Sequence, residues 1–325
     1  MRKWEVVELG EPEKALKLIE TSMPTLKQNE VLVKVESTAM NFFDILQCKG
    51  EYQEKPDLPF TPGAELSGVV TEPGDSGMEK GQRVIATPNL PEGAFSEYVA
   101  VKKEDVFPIP ESMTWNEAAS MFITYHTSYY ALFQCAYLKR GDVLLVHAGS
   151  GGVGSAAIQL GKAFGAKVIA TAGSDEKVQI CKDLGAIEAI NYREEDFVQK
   201  VKDFTGGKGA DVIFDPVGGD TFDRSRKCIA FAGRILIIGF AGGRIADAPT
   251  NHLLIKNYSA VGVHFGLFRK LMPDKVVENH QELMKLYEKR DISPLVYSEY
   301  EFNQLPEALK QLAQRETYGK LVLRV

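Results

Sequence analysis

The stretch that decides the fold runs Val143-Leu144-Leu145-Val146-His147-Ala148-Gly149-Ser150-Gly151-Gly152-Val153-Gly154. Val143–His147 is an apolar run of the length that a buried strand needs. The glycine cluster behind it opens a segment with apolar residues at helical spacing: Val153, Ala156, Ala157, Leu160 and Phe164. The glycines have the spacing G-x-G-x-x-G between a strand and a helix, which is the context in which this pattern binds a dinucleotide. A tight turn without a ligand is the alternative.

Each glycine of the pattern has a physical task. Gly149 allows the tight turn, Gly151 lets the backbone approach a pyrophosphate, and Gly154 lets the helix pack close to the strand. The free N–H groups at the helix N-terminus carry partial positive charge and favour a bound phosphate. The loop therefore predicts a nucleotide-phosphate site at the start of the helix.

Strands and helices alternate on the C-terminal side of this loop. The expected strands are Lys167–Thr171, Ala189–Asn191, Ala210–Asp215, Arg234–Gly239 and Ser259–Val263. Ser174 is a suitable N-cap for one of the helices between them, and Glu195–Phe204 is another. This alternation is typical of a doubly wound parallel sheet, to which we assign residues 120–264.

The segments on either side of this α/β region have a different pattern. Residues 1–119 contain short apolar runs separated by Pro and Gly, which is typical of β structure. After residue 264 come a helix around His280–Lys289 and a closing strand, Lys320–Arg324. We expect residues 265–325 to return to residues 1–119 and to form one β-rich domain with them.

Composition excludes several classes of protein. The 325 residues carry a net charge of −6, which argues against binding driven by neutralisation of nucleic-acid phosphates. No apolar run approaches the roughly 20 residues of a membrane-spanning helix, and the N-terminus lacks the apolar core of a signal peptide. The four cysteines lie far apart and form no paired framework. We expect a cytoplasmic protein that binds neither nucleic acid nor membrane.

The residues after the second strand of the α/β region favour NADPH over NADH. An NAD site usually has an acidic residue at the end of this strand, where it binds the ribose 2′-hydroxyl. Here the strand ends in Ala170-Thr171-Ala172-Gly173, and Asp175 and Glu176 follow in the first turn of the next helix. Lys177 is the nearest cation, and a charge-assisted hydrogen bond to a phosphate contributes about 1.5–3 kcal/mol. The alternative is that Lys177 is an ordinary solvated helix residue.

A series of further motifs runs along nearly the whole chain. In order they are Asn41-Phe42-Phe43-Asp44, Gly50-Glu51-Tyr52, Pro62-Gly63-Ala64-Glu65, Gly93-Ala94-Phe95-Ser96-Glu97-Tyr98, the glycine loop, Leu184-Gly185-Ala186, Ile190-Asn191-Tyr192-Arg193, Asp215-Pro216-Val217-Gly218-Gly219 and Gly319-Lys320-Leu321-Val322-Leu323. Together they resemble the zinc-free quinone oxidoreductase, or zeta-crystallin-like, branch of the medium-chain dehydrogenase/reductase superfamily. Leu46 departs from that branch, which often has an aromatic hydroxyl at this position.

The resemblance implies an α/β protein in two domains. One is a Rossmann domain with a doubly wound parallel sheet, and the other is a GroES-like, β-rich catalytic domain, with NADPH in the cleft between them. The site residues that the resemblance implies are, for the pyrophosphate, Gly151, Gly152 and Val153; for the 2′-phosphate, Ser174, Lys177 and Tyr192; for the nicotinamide and the substrate, Asn41, Tyr52 and Thr127; and, beside the nicotinamide, Phe240.

The positions that hold catalytic zinc in other members of this superfamily have different residues here. Phe42 and Asp44 stand where the first cysteine is expected, and Gly63-Ala64-Glu65 stands at the usual His-Glu position. Arg83–Tyr98 contains no cysteine, so the thiol and imidazole ligands of a zinc site are missing. Asp44 and Glu65 as ligands of another cation are the alternative. We expect no metal at this site.

Without a Lewis acid, the expected acceptors are those that need little polarisation, namely a quinone or an α,β-unsaturated carbonyl. Negative charge then develops on an oxygen that hydrogen-bond donors can stabilise. Asn41 and Tyr52 are the candidates, although Asn41 could be a cap residue and Tyr52 a packing ring. We therefore predict an NADPH:quinone reductase or enone reductase. A zinc-free alcohol dehydrogenase-like enzyme and a non-catalytic NADPH-binding protein are the competing hypotheses.

The last predicted strand of the parallel sheet, Ser259–Val263, carries no charged residue. An uncharged apolar edge favours pairing with a second copy of the chain. We expect a homodimer built through this edge, as the resembled family also uses it.

Overall fold

A computed structural model describes residues 1–325. The strands are β1 Arg2–Val6, β2 Leu16–Glu20, β3 Glu30–Ala39, β4 Leu66–Glu72, β5 Arg83–Ala86, β6 Tyr98–Lys102, β7 Val106–Pro108, β8 Val143–Val146, β9 Lys167–Ala172, β10 Glu188–Asn191, β11 Ala210–Asp215, β12 Ile229–Ile237, β13 Ser259–Gly262, β14 Val296–Glu301 and β15 Lys320–Arg324. The α-helices are α1 Pro12–Ala15, α2 Phe42–Lys49, α3 Trp115–Ala119, α4 Phe122–Tyr129, α5 Gly152–Ala163, α6 Asp175–Leu184, α7 Phe197–Phe204, α8 Gly219–Ser225, α9 Thr250–Lys256, α10 Phe265–Leu271, α11 Pro273–Glu288 and α12 Leu305–Gln314. None of the helices combines the length and the apolar composition needed to cross a membrane.

The chain divides into two units, and the first is built from both ends of the chain. It comprises Met1–Ile123 and Pro294–Val325, and the second unit is the continuous segment Thr124–Ser293. The return to the first unit therefore lies at Pro294, later than the expected residue 265. The reason is that α10 and α11 pack inside the second unit.

Three contacts illustrate that packing. The ring of Phe265 lies 5.9 Å from that of His126 on α4. On α11, Asn279 Oδ1 accepts a hydrogen bond of 2.8 Å from Gln134 Nε2. The carbonyl of Ser293 accepts a further one, of 3.0 Å, from Gln159 Nε2 on α5. These partners lie outside the local sequence of α10 and α11, so periodicity could not reveal them.

The second unit contains the predicted doubly wound parallel sheet. Its strand order is β10-β9-β8-β11-β12-β13, and all five strand pairs are parallel. The chain winds outward from β8 in one direction and then, from β11, in the other. Ligands bind at the carboxyl ends of strands at such a reversal, and the glycine cluster follows β8 at this point.

Several strand bounds of this sheet differ from the sequence expectation. β8 ends at Val146 rather than His147, β9 ends at Ala172 rather than Thr171, β10 begins at Glu188 rather than Ala189, and β12 ends at Ile237 rather than Gly239. β12 begins at Ile229 rather than Arg234, because Ala232 adopts a φ of 57° and lets the strand continue through a local irregularity. β13 ends at Gly262 rather than Val263. Helix α5 packs closely on the sheet, since a Cβ at Gly161 would come within 2.7 Å of Leu144 Cδ2.

The first unit is a mixed β structure around strand β3. Its seven-stranded sheet has the order β14-β15-β3-β4-β5-β7, and β6 also pairs with β3. A separate hairpin-like pair joins β1 to β2. The predicted closing strand is confirmed as β15, which lies antiparallel to β3. As a result, the N–H of Met40 donates to the carbonyl of Leu321 at 3.0 Å, and the residues that follow β3 lie beside the start of β15.

Candidate active site

The glycine loop between β8 and α5 is shaped by contacts that exclude side chains. A Cβ at Gly154 would lie 2.2 Å from the carbonyl oxygen of Ala148, so only glycine lets α5 start this close to the loop. A Cβ at Gly149 would lie 2.9 Å from both the Ala170 Cβ and the Cys181 Sγ. At Gly151, by contrast, the only neighbour within 4 Å is Ala148 O, at 3.3 Å. Gly149 and Gly154 thus allow close packing, whereas Gly151 leaves open space above the loop.

The start of α5 can hold a phosphate. Gly151 is the N-cap, and the N–H of Ser155 is the first to bond within the helix, to Gly151 O at 2.8 Å. The N–H groups of Gly152, Val153 and Gly154 therefore have no partner inside the helix. With the helix dipole they form an anion-binding end at the carboxyl edge of the sheet.

Ser174, Lys177 and Tyr192 lie at the carboxyl ends of the adjacent strands. Ser174 follows β9 and caps α6, since its Oγ accepts the N–H of Lys177 at 3.3 Å. Tyr192 follows β10, and its hydroxyl lies 2.8 Å from the position that a Cβ would take on Gly173. Arg193 Nε lies 3.6 Å from that same point. The structure thus brings the hydroxyls of Ser174 and Tyr192 and the side chain of Arg193 to neighbouring strand ends, with Lys177 in the first turn of α6.

Asp175, one of the two acidic residues in the first turn of α6, already accepts a hydrogen bond. Asp175 Oδ1 accepts a hydrogen bond of 2.9 Å from Asn191 Nδ2. Its carboxylate lies in the first turn of α6 rather than at the end of β9, where an acid would bind a ribose 2′-hydroxyl.

His147 is a buried link beneath the glycine loop. Ser225 Oγ donates to Thr221 O at 2.7 Å, so it accepts from His147 Nε2, 2.8 Å away. His147 Nδ1 is then the acceptor for the Thr171 hydroxyl at 3.0 Å. Burial lowers the pKa of His147 to about 4. A neutral imidazole therefore joins β8, β9 and α8, and it has no free nitrogen for catalysis.

Two further predicted site residues lie in the second unit. Phe240 follows β12 and is 39% exposed, and its Cδ1 lies 3.1 Å from the Cβ position of Gly218. Gly218 has a φ of 70°, which favours glycine and lets the ring approach. Thr127 lies on α4, and its side chain is half-buried.

In the first unit, four polar side chains form a buried cluster at the junction of β3, α2 and β15. We call Asn41, Asp44, Glu65 and Lys320 the Lys320 cluster; each is at most 7% exposed. Lys320 Nζ donates to Glu65 Oε1 at 2.8 Å, Asn41 Oδ1 at 2.6 Å and Met40 O at 2.7 Å. The three donors of the ammonium group are thereby used.

The carboxylates of this cluster have separate partners. Glu65 Oε1 also accepts from Asn41 Nδ2 at 3.0 Å, and its Oε2 accepts the N–H of Ile123 at 2.8 Å. Asp44 Oδ2 accepts the N–H of Asn41 at 2.6 Å, which fixes the start of α2. Burial raises the pKa of Asp44 to about 7, although the N–H of Asn41 and the charge of Lys320 oppose the rise. Asp44 thus orients the backbone.

Tyr52 lies beyond the C-terminal end of α2 and folds back along it. Its ring stacks on Phe43 with the centroids 5.3 Å apart. Burial and the charges of Glu54 and Asp44 raise the pKa of the Tyr52 hydroxyl, so it stays protonated and can donate. The stacking places Tyr52 near the same end of α2 as Asn41.

The residues present do not fit a zinc ion. Asp44 and Glu65, at positions that would be ligands, lie beside the Lys320 ammonium, which already supplies positive charge and would repel a dication. The cluster has neither a thiolate nor an imidazole, the ligands that zinc sites of this kind use. Nowhere do three or more His, Cys, Asp or Glu side chains form a group that could hold a metal.

Lys320 is the residue whose role the sequence reasoning missed. It belongs to the motif Gly319-Lys320-Leu321-Val322-Leu323, which by itself does not reveal a function for the lysine. A signal was present in the three apolar residues that follow Lys320 in the strand, because a lysine that such a strand buries is rarely without a partner. Its partners lie 255 and 279 positions away along the chain.

Two family models match the chain. The model described as zinc-binding dehydrogenase matches residues 152–282. The model described as alcohol dehydrogenase GroES-like domain matches residues 27–111, within the first unit.

Curated relatives match over nearly the full length. The quinone oxidoreductase-like protein 2 homolog of Nematostella vectensis is 38% identical over 322 residues, covering 97% of this chain and 87% of the relative. The quinone oxidoreductase of Homo sapiens is 31% identical over 329 residues, covering 99% and 97%.

Solved structures agree with these matches. Escherichia coli quinone oxidoreductase, crystallised with NADPH, superposes with a TM-score of 0.92 at 30% identity and covers 100% of both chains. The quinone oxidoreductase of Thermus thermophilus, whose NADPH complex was also solved, has a TM-score of 0.87 at 31% identity and the same full coverage.

Proposed function

The chain belongs to the medium-chain dehydrogenase/reductase superfamily, in its quinone oxidoreductase branch, and on this premise we propose that it is a zinc-independent NADPH:quinone or enone reductase. The resemblance read from the sequence motifs is thereby confirmed at the level of the family. The chain is an NADPH-dependent oxidoreductase. The class of acceptor and the independence from zinc are our proposals.

NADPH is the cofactor, and residues of the second unit would hold it. The N–H groups at the start of α5 would bind the pyrophosphate above the open face of Gly151. Ser174, Lys177 and Tyr192 would bind the 2′-phosphate, with Arg193 as a further cation. Phe240 would border the nicotinamide. When bound, NADPH supplies a hydride to the acceptor.

The single observation that carries the choice of acceptor is the Lys320 cluster. Because an ammonium group stands where a Lewis acid would act, the chain offers only hydrogen-bond donors to an acceptor oxygen. A quinone or an enone suits such a site, because the negative charge that develops during reduction lies on an oxygen of the acceptor, where hydrogen-bond donors can stabilise it. Asn41 Nδ2 and the Tyr52 hydroxyl are those donors, and Thr127 of the second unit is a further candidate for a role in the reaction.

A steady-state assay with a panel of acceptors tests the proposal. We expect NADPH oxidation with an ortho-quinone, a para-quinone and an α,β-unsaturated ketone, and little with a simple aldehyde. Asn41→Ala should lower kcat by about 10²- to 10³-fold, the usual cost of losing one such donor. Asn303→Ala, at an exposed asparagine of the same unit, is the control and should leave kcat unchanged.

Two outcomes would contradict the proposal. Turnover of simple aldehydes but not of quinones or enones would favour the alcohol dehydrogenase-like hypothesis. Tight NADPH binding without turnover of any acceptor would favour a non-catalytic binding protein.

We also propose a homodimer that works in the cytoplasm. β13 is the edge strand of the parallel sheet and carries no charge. The preceding helix α9 exposes Leu254 and Ile255, which are 80% and 78% accessible, and an uncovered apolar surface next to a bare edge supports pairing with a second copy. All four cysteines are free thiols, which supports a reducing compartment.

A further inference from the structure

The Lys320 cluster fixes the side-chain amide of Asn41 in one orientation. The Asn41 Oδ1 faces the Lys320 ammonium at 2.6 Å, and its Nδ2 faces Glu65 Oε1 at 3.0 Å. In a flipped amide, the N–H groups would face the Lys320 ammonium, which has no acceptor for them. The amide oxygen would face the Glu65 carboxylate, which has no donor for it. Each contact therefore excludes the flipped orientation.

One N–H of this amide remains almost unused. The first N–H bonds to Glu65, and the second has only the carbonyl of Ala39, 3.5 Å from Nδ2, which is the outer limit of a hydrogen bond. The Asn41 side chain can therefore offer one N–H to another acceptor without breaking its bond to Glu65.

The charge balance of the cluster depends on Lys320. Glu65 is fully buried, and the Lys320 ammonium is the cation bonded to it. Without that cation, an uncompensated carboxylate would lie next to the Asn41 amide. It would oppose negative charge developing on an oxygen bound there, because like charges repel strongly in a site of low dielectric constant.

We propose that Lys320 is a positioning residue for the reaction: its ammonium group acts as the fixed cation of the acceptor site, holding the Asn41 amide and neutralising Glu65, in place of a metal ion. The proposal rests on the proposed function, because it concerns the donor that the acceptor oxygen would use. It is carried by the three hydrogen bonds of Lys320 Nζ and by the nearly unused N–H of Asn41.

The first test removes the cation and measures turnover and cofactor binding separately. Lys320→Ala should lower kcat with a quinone by at least about tenfold, less than complete loss of an oxyanion donor. Its dissociation constant for NADPH, measured by fluorescence titration, should stay within about twofold of the wild-type value, because the phosphate-binding residues lie in the second unit. Lys310→Ala is the matched control, since Lys310 forms an exposed pair with Glu13 in the same unit.

Chemical rescue distinguishes a cation site from a packing effect. Ammonium or methylammonium ions should restore a large part of the kcat of Lys320→Ala, because they fit the vacated space and donate hydrogen bonds. Tetramethylammonium has the same charge but no N–H and should restore none. Equal rescue by methylammonium and tetramethylammonium would overturn the proposal. A kcat of Lys320→Ala within twofold of the wild-type value would also overturn it.

A second pair of variants tests the route through Asn41 and guards against misfolding. In an Asn41→Ala background, Lys320→Ala should lower kcat by less than about twofold more, since the residue it positions is gone. A further tenfold loss there would show that Lys320 acts elsewhere and would refute the inference. If Lys320→Ala does not fold, Lys320→Met with Glu65→Gln removes both charges together. Its kcat should also fall by about tenfold, and an unchanged kcat would refute the inference.

The two proposals fail in different ways. A wild-type protein that reduces no acceptor would overturn the proposed function and this inference with it. A wild-type protein that turns over quinones while the Lys320 variants do so equally well would overturn only the inference.

Discussion

Gly154→Ala offers a quantitative test of the way the glycine loop is built. The added Cβ would lie 2.2 Å from Ala148 O and 2.9 Å from Gly149 Cα. Both neighbours are backbone atoms, so they cannot rotate away. Relief requires the start of α5 to move outward by roughly 1 Å from the loop after β8, if ordinary contact distances are to be restored.

The size of the effect follows from two opposing contributions. Overpacking of this kind costs about 1–3 kcal/mol, and alanine gains up to about 1 kcal/mol over glycine in a helix. With the full helix gain, we therefore expect Gly154→Ala to lower the free energy of unfolding by up to about 2 kcal/mol. The same shift would displace the N–H groups of α5, so NADPH affinity should fall by at least about tenfold, the value of one charge-assisted hydrogen bond.

The assay compares three alanine variants by urea unfolding and by NADPH fluorescence titration. Gly151→Ala places its Cβ 3.3 Å from Ala148 O with nothing else within 4 Å, so it should reduce affinity with little loss of stability. Gly10→Ala has no atom within 4 Å of its Cβ and should change neither quantity. The reasoning would be refuted if Gly154→Ala were as stable as Gly10→Ala and bound NADPH equally well.

Four further predictions concern NADPH preference, the pH dependence of stability, independence from zinc and dimerisation. Lys177→Glu should weaken NADPH binding by at least about tenfold and leave NADH nearly unaffected in a titration; equal changes for both would contradict the 2′-phosphate site. Burial holds the pKa of His147 near 4, so the stability it contributes is present above about pH 6.5 and is lost as the pH falls toward 4. Between pH 6.5 and pH 4, urea unfolding should show a smaller loss of unfolding free energy for His147→Gln than for the wild-type protein. An identical loss in the two proteins would exclude His147 as the source of the pH dependence. Enzymatic activity should survive exhaustive removal of metal ions with a chelator. A loss of activity that added zinc restores would contradict the proposed independence from zinc. The N–H of Val263 bonds to β12, so by strand alternation the N–H of Ala260 faces the free edge. Ala260→Pro should therefore turn a sedimenting dimer into a monomer; a dimer that persists must use another surface.

The sequence predicted those parts of the molecule that depend on neighbours along the chain. The glycine loop, the cap at Ser174 and the strand ends at Gly173 and Tyr192 all lie within one stretch of alternating strands and helices. Their relative positions follow from the rule that the carboxyl ends of parallel strands share one edge. This is why the relative placement of these residues could be predicted from the sequence.

The parts that could not be predicted depend on distant pairings. The sequence offers Asp44 and Glu65 as possible ligands of a cation, but the cation beside them is Lys320, which reaches Glu65 across 255 positions of sequence. Asn41 had two alternative roles, as a cap or as a donor, and the structure shows why a pattern could not separate them. Its N–H bonds to Asp44 at the start of α2, while its side chain belongs to the Lys320 cluster.

The first unit is interrupted by the whole of the second, and this has a consequence for synthesis on the ribosome. Residues 124–293 are continuous, so the second unit can fold as soon as it emerges from the exit tunnel. The first unit must wait for β15, because β3 pairs with it and the carboxylate of Glu65 meets its ammonium only then. Throughout translation of the second unit, the part of β3 that pairs with β15 lacks its strand partner. The Glu65 carboxylate, which is buried in the folded unit, lacks the Lys320 ammonium. The nascent N-terminal segment is therefore the part most in need of chaperone protection, and the second unit can mature before the first.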